Sequence, residues 1–289
     1  MFTVACTMGA SPFTVTFHGV RGSTPCHGPE ISRYGGNTSC VSLSMPGEAP
    51  LIFDLGTGLR YFGSSQPTDG TFRGTCLLSH LHWDHTQGLP FFVPILRSGA
   101  ELDVYAPIQE DGRPVWRAMK AFMQPPHFPI SLEHLPGTLR FHDIGDDDFQ
   151  VGSAQIKARL VPHVGNTLGY RVTHSGRSVA YLSDHQQPYD GSFGLADGAR
   201  ELIEGADVLI HDAQYTRDEF AHKFNWGHCT VDYALWVAME CKVKTLALFH
   251  HDPTRTDDAV DELTRCARQF ADHRGVEVVA AFDGLTLTL

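Results

Sequence analysis

Between positions 80 and 85 the chain carries His80, His82, Asp84 and His85, four side chains able to bind a metal ion within six residues. In an extended segment alternate side chains point the same way, so His80, His82 and Asp84 share one side. His85 is adjacent, where the chain turns toward a helix. Imidazole and carboxylate are the donors that suit zinc, manganese or iron, and no fold needs four of them together for packing. The segment reads as a metal site.

Other donors stand at the ends of apolar runs: Asp54 closes one, His163 a second, Asp184 a third and His250 a fourth. A single polar residue at such an end is ordinarily a cap. Four of them beside the 80–85 cluster point to side chains converging on one edge of the sheets.

The elements that must position these residues are short apolar runs rich in β-branched and aromatic side chains. Strands are expected over residues 14–17, 40–44, 51–54, 75–79, 102–106 and 138–143 in the first half. Residues 155–161, 168–173, 178–183, 208–211, 245–250 and 276–282 complete the set. Helical spacing appears over residues 88–97, 114–122, 231–240 and 257–273, with Thr230 and Thr256 as N-caps of the last two. Strands come in runs with helices between them, so α and β mix without strict βαβ alternation. No low-complexity linker divides the chain, and one domain over 1–289 is expected. Prolines make residues 124–129 a stiff, extended loop. It reads either as an overhang above a site, with His127 as a substrate contact, or as an ordinary surface loop.

A chain of 289 residues, 42% hydrophobic and 19% charged, has ample material for a globular core. Its net charge of −11 makes it a poor candidate for gripping a long polyanion, which needs clustered Lys and Arg. The seven cysteines are scattered, odd in number and free of any Cys-x-x-Cys pair, which argues for a reducing compartment. The opening residues 1–15 lack a basic start followed by a sustained apolar stretch, and no run approaches the roughly 20 apolar residues of a membrane helix. Cytoplasm is the expected location, with no membrane partner.

The His-x-His-x-Asp-His cluster, followed by a lone His, a lone Asp and a late His, resembles the metallo-β-lactamase superfamily over nearly the whole chain. The resemblance implies an α/β fold of the αββα sandwich type, with two mixed sheets flanked by helices and two divalent metal ions between the sheet edges. His80, His82 and His163 would hold one ion, Asp84, His85 and His250 the other, and Asp184 would bridge them. Zinc is the expected metal, with manganese or iron as alternatives. Asp54 matches the family's buried aspartate, which orients the ligand loop without touching metal. A strand sends His250 and His251 to opposite faces. His250 aligns with the family's ligand position, leaving His251 behind the ligands or on the surface.

Within the superfamily, Asp184 stands where true β-lactamases carry cysteine, and His82 where the iron-binding redox branch carries glutamate. Val208-Leu209-Ile210-His211-Asp212-Ala213-Gln214 resembles the His-Glu-Ala-Thr motif of ribonuclease Z and related phosphodiesterases. Trp226-Gly227-His228-Cys229-Thr230 resembles their Gly-His-Ser-Thr motif. The implied roles are a proton donor, His228, oriented by Asp212. The chain departs from the pattern at Asp212, Gln214 and Cys229. An alkoxide leaving group needs an acid, and imidazole titrates near neutral pH.

The expected activity is therefore that of a metal-dependent hydrolase, a phosphodiesterase acting on a small or cyclic phosphodiester through a hydroxide held between the metals, with Asp84, Asp212 and His228 in the catalytic machinery. Arg21 and Arg33, each in a glycine-containing turn segment, are candidate phosphate contacts. A ribonuclease Z-like tRNA endonuclease is the alternative, weakened by the acidic charge. In the bacterial enzyme an inserted arm lies between the motifs matching His163 and Asp184, which here stand only 21 positions apart. A lactone or thioester hydrolase on the same metal core is the other alternative. A small-molecule partner is expected, and a homodimer is left open.

Overall fold

In the computed structural model, which describes residues 12–289, two seven-stranded sheets face each other. Cys6 and most of the opening segment weighed as a leader lie outside the described residues. The first sheet contains β1 (Thr14–Gly19), β2 (Cys40–Ser44), β3 (Leu51–Phe53), β4 (Arg73–Leu77), β5 (Glu101–Pro107), β6 (Thr138–Ile144) and β14 (Thr286–Thr288), in the order β14-β1-β2-β3-β4-β5-β6. The second contains β7 (Asp148–Val151), β8 (Ala154–Leu160), β9 (Leu168–His174), β10 (Arg177–Leu182), β11 (Val208–Asp212), β12 (Thr245–Phe249) and β13 (Glu277–Ala280), in the order β13-β12-β11-β10-β9-β8-β7.

Burial follows the residue pattern. In β1 Val15 and Phe17 alternate inward with partly exposed threonines, as in a strand with one covered face. β10, β11 and β12 are near-continuous apolar runs, pair in parallel and are buried on both faces. Between the sheets, Phe53 stacks on Tyr181 with ring centroids 4.5 Å apart. Phe17, Tyr170, Ile210 and Phe249 fill the same inner core. The helices α4 (Asp197–Ile203), α6 (Val231–Glu240) and α7 (Asp257–Ala271) pack Leu202, Val237 and Ala267 onto the outer face of the second sheet. On the first sheet, α1 (Leu59–Ser64) and α3 (Val115–Phe122) do the same with Leu59, Phe62 and Met119. This is an αββα sandwich. Thr230 and Thr256 cap α6 and α7, accepting from the amides of Tyr233 at 3.1 Å and Ala259 at 3.3 Å.

Several expectations need correction. Residues 88–97 form two short 3-10 turns, Leu89–Phe91 and Val93–Leu96, in place of one helix. Pro90 and Pro94 lack amide hydrogens and clash with a preceding helical turn, so the apolar spacing cannot be realised as an α-helix. The strand expected at 276–282 shrinks to β13, and the helix expected to reach 273 ends at Ala271. Unforeseen elements are short: β7, β14, α1, α4, α2 (Trp83–Thr86) and α5 (Arg217–Lys223). Among the described residues, no helix is long and apolar enough to cross a membrane.

Strand direction sets the site. In the first sheet β3 runs parallel to β4, and β1 shares their direction because β2 is antiparallel to both β1 and β3. In the second, β10, β11 and β12 run together, and β8 joins them through the antiparallel β9. The segments leaving these strands emerge at one end of each sheet, the usual place for a site in a largely parallel sheet.

Candidate active site

Asp54 immediately follows β3 at φ 59°, in the left-handed region that a non-glycine residue occupies only under tertiary constraint. The constraint is visible. Its wholly buried carboxylate accepts from the Ser79 amide at 2.7 Å, Ser79 Oγ at 2.9 Å, Tyr181 Oη at 2.7 Å and His85 Nδ1 at 2.7 Å. Tyr181 comes from the opposite sheet, so this one aspartate ties the ligand loop to both layers. With Nδ1 engaged, His85 turns Nε2 toward Asp84 Oδ2 and Asp184 Oδ2, each 3.2 Å away.

His250 leaves β12 at φ 58° and places Nε2 3.1 Å from Asp84 Oδ2 and 3.6 Å from Asp184 Oδ2. Its Nδ1 lies 3.0 Å from Gln214 Oε1, and Gln214 Nε2 donates to Ser23 Oγ at 3.2 Å. Ser23, also left-handed at φ 63°, donates its amide to Asp84 Oδ2 at 2.7 Å. Gly22 permits the approach, since a Cβ there would lie 2.4 Å from His250 Nδ1. On the other side of Asp184, His80 Nε2 is 2.8 Å and His163 Nε2 3.4 Å from His82 Nδ1. His163 donates from Nδ1 to the Gly227 carbonyl at 2.6 Å, and a Cβ at Gly227 would collide with the same ring. Asp184 Oδ1 sits 3.9 Å from His80 Nε2 and 3.8 Å from His163 Nε2.

Two sets of donors thus gather on either side of Asp184. In each of the groups His80, His82, His163 and Asp84, His85, His250 the donor atoms lie within 4.8 Å of one another. Burial holds the His80 imidazole well below its ordinary pKa and His163 at about 4, so both are neutral, the form that ligates. Burial alone would raise Asp84 and Asp184, but His85 and His250 keep both carboxyls well below the usual range. The reverse holds for His85 and His250, which burial lowers and the same carboxylates raise. His85 Nε2 and Asp184 Oδ2 are buried without a hydrogen-bond partner. Imidazole nitrogens and carboxylate oxygens this close in a buried space need a positive charge among them, supplied by a proton or by a divalent cation bound by N and O donors. The donor set fits such a group.

Asp212, the last residue of β11, accepts from His228 Nδ1 at 2.9 Å, and its other oxygen accepts from the Gln214 amide at 3.0 Å. His228 lines a cavity of about 470 Å³ together with Ser23, Leu81, His82, Trp83, Asp84, Asp184 and Trp226. The expected pair therefore opens onto the same space as the ligand candidates.

His250 and His251 diverge, but not by strand alternation, since both lie beyond the end of β12 and His250 is left-handed. His251 turns away, its Nε2 3.0 Å from the Ala281 carbonyl, with burial and then Arg21 holding its pKa near 3. Arg21 as a phosphate contact is overturned. It is wholly buried and donates to the carbonyls of Gly35 at 2.8 Å, Asp252 at 3.1 Å and Arg255 at 2.8 Å. Arg33 is likewise committed elsewhere, pairing with Asp258 at 2.8 Å and Asp261 at 2.7 Å on α7. His127 borders an apolar groove that shares Trp83 with the site cavity. Sequence reasoning missed Ser23, Gln214 and Tyr181. Gln214 stood out only as a departure from the motif's threonine, and its extra length is what lets it reach both Ser23 and His250.

A family profile described as a beta-lactamase superfamily domain matches residues 73–251. An uncharacterised protein of Mycobacterium tuberculosis is 30% identical over 229 residues, covering 76% of this chain and 77% of its own. A ribonuclease Z of Haloarcula marismortui is 25% identical over 320 aligned positions, covering 94% of this chain and 95% of its own. The metallo-beta-lactamase fold protein YhfI from Bacillus subtilis superposes with a TM-score of 0.72 at 19% identity, over 96% of this chain and 98% of that one.

Proposed function

The chain belongs to the beta-lactamase superfamily, and from that membership we propose that it is a dinuclear metal-dependent phosphodiesterase acting on a small or cyclic phosphodiester. His80, His82 and His163 would hold one divalent ion, Asp84, His85 and His250 the other, with Asp184 between them. Zinc is the metal we favour, because the donors mix imidazole with carboxylate. When bound, such ions supply Lewis acidity toward a phosphoryl oxygen and a more acidic water. Asp54 and Gln214 orient the imidazoles of His85 and His250 through their Nδ1 atoms. Asp212 does the same for His228, whose other ring nitrogen is then available to protonate a departing oxygen.

The observation that carries this reading is His228, held by the buried Asp212 and lining the same cavity as Asp84 and Asp184. Ester bonds with acidic leaving groups break without a proton donor, whereas an alkoxide leaving from phosphorus needs one. The ribonuclease Z likeness favours a second reading, cleavage of precursor tRNA. Against it stand the net charge of −11 and the interval between His163 and Asp184, which is taken up by the β9–β10 hairpin.

The test is the substitution His228→Ala in metal-reconstituted protein. Turnover of a diester with an alkyl leaving group should fall about 10²–10⁴-fold, while a p-nitrophenyl diester should lose much less. Equal losses on both would remove the acid role. Cleavage of precursor tRNA at one defined position, with submicromolar binding at physiological salt, would replace this reading with the second.

A further inference from the structure

Two tryptophans flank the site cavity, Trp83 at 73% exposure and Trp226 at 60%. Large aromatic side chains left in water at a cavity mouth mark an interaction surface. The two differ in what holds them. The Trp226 ring carries the Lys223 ammonium 5.5 Å from its centroid. Among the described residues, Trp83 has no aromatic or cationic partner. Trp83 also lines the same cavity as His82 and Asp84, so a substituent of a phosphoryl group held at those residues has the indole within reach.

Beyond Trp83 the surface continues into a second cavity of about 540 Å³, bordered by Phe91, Phe122, Met123, His127 and Phe128. Phe91 and Phe128 meet edge to face with centroids 6.1 Å apart, and Phe91 remains 57% exposed. The lining side chains are mainly aromatic, with Met123, Pro90 and Ala121 among them and Gln87 and His127 as the more polar members. Such a lining suits a flat, polarisable ring better than a sugar or an alkyl polyol.

We propose that this groove is the subsite for a planar aromatic or heteroaromatic substituent of the phosphoester, stacked on Trp83 and inserted between Phe91, Met123 and Phe128. The proposal rests on the phosphodiesterase reading and narrows it, naming the substrate as an ester of phosphate with a ring-bearing group. It also gives the proline-fixed loop at 124–129 a role as one wall of the groove.

The test uses the full-length, metal-reconstituted protein and phosphomonoesters, the product class of the proposed reaction. Calorimetry would compare adenosine 5′-monophosphate and phenyl phosphate with ribose 5-phosphate and inorganic phosphate. Ring stacking predicts that one or both ring-bearing ligands bind roughly 5–150-fold more tightly than ribose 5-phosphate. Phenyl phosphate matching the nucleotide would define the ligand as any flat ring, and preference for the nucleotide alone as a heteroaromatic one.

In Trp83→Ala and in Phe128→Ala the ratio of ring-bearing to ringless affinity should collapse to within about twofold. Because the ratio is taken within each variant, a general loss of phosphate affinity cancels. Quenching of tryptophan emission by the nucleotide should also disappear in Trp83→Ala. Equal binding of ringed and ringless ligands by the wild type would overturn the subsite, as would a preference that survives both substitutions. Loss of the preference in Trp226→Ala alone would likewise overturn it. If diesters are cleaved and inorganic phosphate binds, those outcomes leave the phosphodiesterase reading standing. If the wild type takes up metal yet neither binds phosphate nor cleaves any diester, both readings fall together.

Discussion

Arg21 and His85 are both completely buried and both sit near carboxylates, yet their surroundings are opposite in kind. Arg21 donates from Nε and Nη1 to three carbonyl oxygens, while its Nη2, without a hydrogen-bond partner, lies 3.9 Å from Asp257 as a charge pair. Around His85 the free ring nitrogen meets only carboxylate oxygens, and the neighbouring His80 and His82 nitrogens meet each other. The first assembly is closed by protein atoms and binds the loop after β1 to the segment before α7. The second is closed only by a positive charge shared among its donors, a proton on His85 or an entering cation. Burial, charge and an unpartnered nitrogen are common to both, so what separates a scaffold from a site is what is gathered: a permanent cation among carbonyl oxygens in the first, imidazole and carboxylate metal donors in the second.

The largest expected effect falls on the open assembly. Asp184→Ala removes the one carboxylate that faces both histidine groups, and metal content should drop from about two ions per chain to fewer than one. Elemental analysis of the purified variant, before and after reconstitution, reads this directly. Two tightly held ions in Asp184→Ala would mean the groups on either side are independent, and the arrangement around Asp184 would lose its meaning.

Next comes the closed assembly. Arg21→Met strips a buried charge from three carbonyls and Asp257, and should cost about 3–5 kcal/mol of folding stability. Denaturant unfolding measures it. KM of whatever protein folds should hardly change, because Arg21 touches no part of the cavity. A variant of normal stability with a greatly raised KM would restore Arg21 as a phosphate contact and erase the distinction drawn here.

The same distinction explains what was legible in the sequence. The 80–85 cluster and the strand-end residues Asp54, His163, Asp184 and His250 could be found because metal donors are chemically rare in such density. Their convergence follows from strand direction, which apolar runs reveal. Arg21 could not be classed correctly, since carbonyl acceptors arriving from residues 35, 252 and 255 leave no mark in its local sequence. Gln214 and Ser23 were illegible for a related reason. They act through contacts between loops far apart in sequence, and neither residue type is unusual in a loop. The 88–97 segment misled because apolar spacing outweighed Pro90 and Pro94, whose missing amides decide the local geometry.

Gln214 offers a finer test of the open assembly. If its side chain sets the direction of His250, Gln214→Ala should lower metal affinity or turnover by about 10–100-fold. Gln214→Glu should preserve much of it, because an acceptor oxygen would still face His250 Nδ1. Metal titration of the two variants separates orientation from bulk. Equal, negligible losses in both would demote Gln214 to a packing residue.

The smallest effect probes the edge of the closed assembly, at Asp283. This carboxylate accepts from Asn37 Nδ2 at 2.7 Å and from the Asn37 amide at 3.3 Å, while its Oδ1 is buried without a partner. Burial raises its pKa from 3.8 to about 6, against the opposing pull of those bonds and of Arg21. A folded-state pKa above the unfolded one means the native state holds its proton more tightly. The resulting stabilisation is fully present below pH 3.8 and is lost as pH rises through 6. Above that, the ionised form costs the fold. Asp283→Asn keeps an acceptor for Asn37 without the charge, so it should stabilise the protein at pH 8 by about 1 kcal/mol, after allowance for partial solvent screening. At pH 4.5 the gain should be smaller. Paired urea titrations at the two pH values would show it as a pH-dependent difference in midpoint. A variant that is less stable at pH 8 would mean that the charge of Asp283 is part of how Arg21 is neutralised, and that the closed assembly depends on its carboxylates as well as its carbonyls.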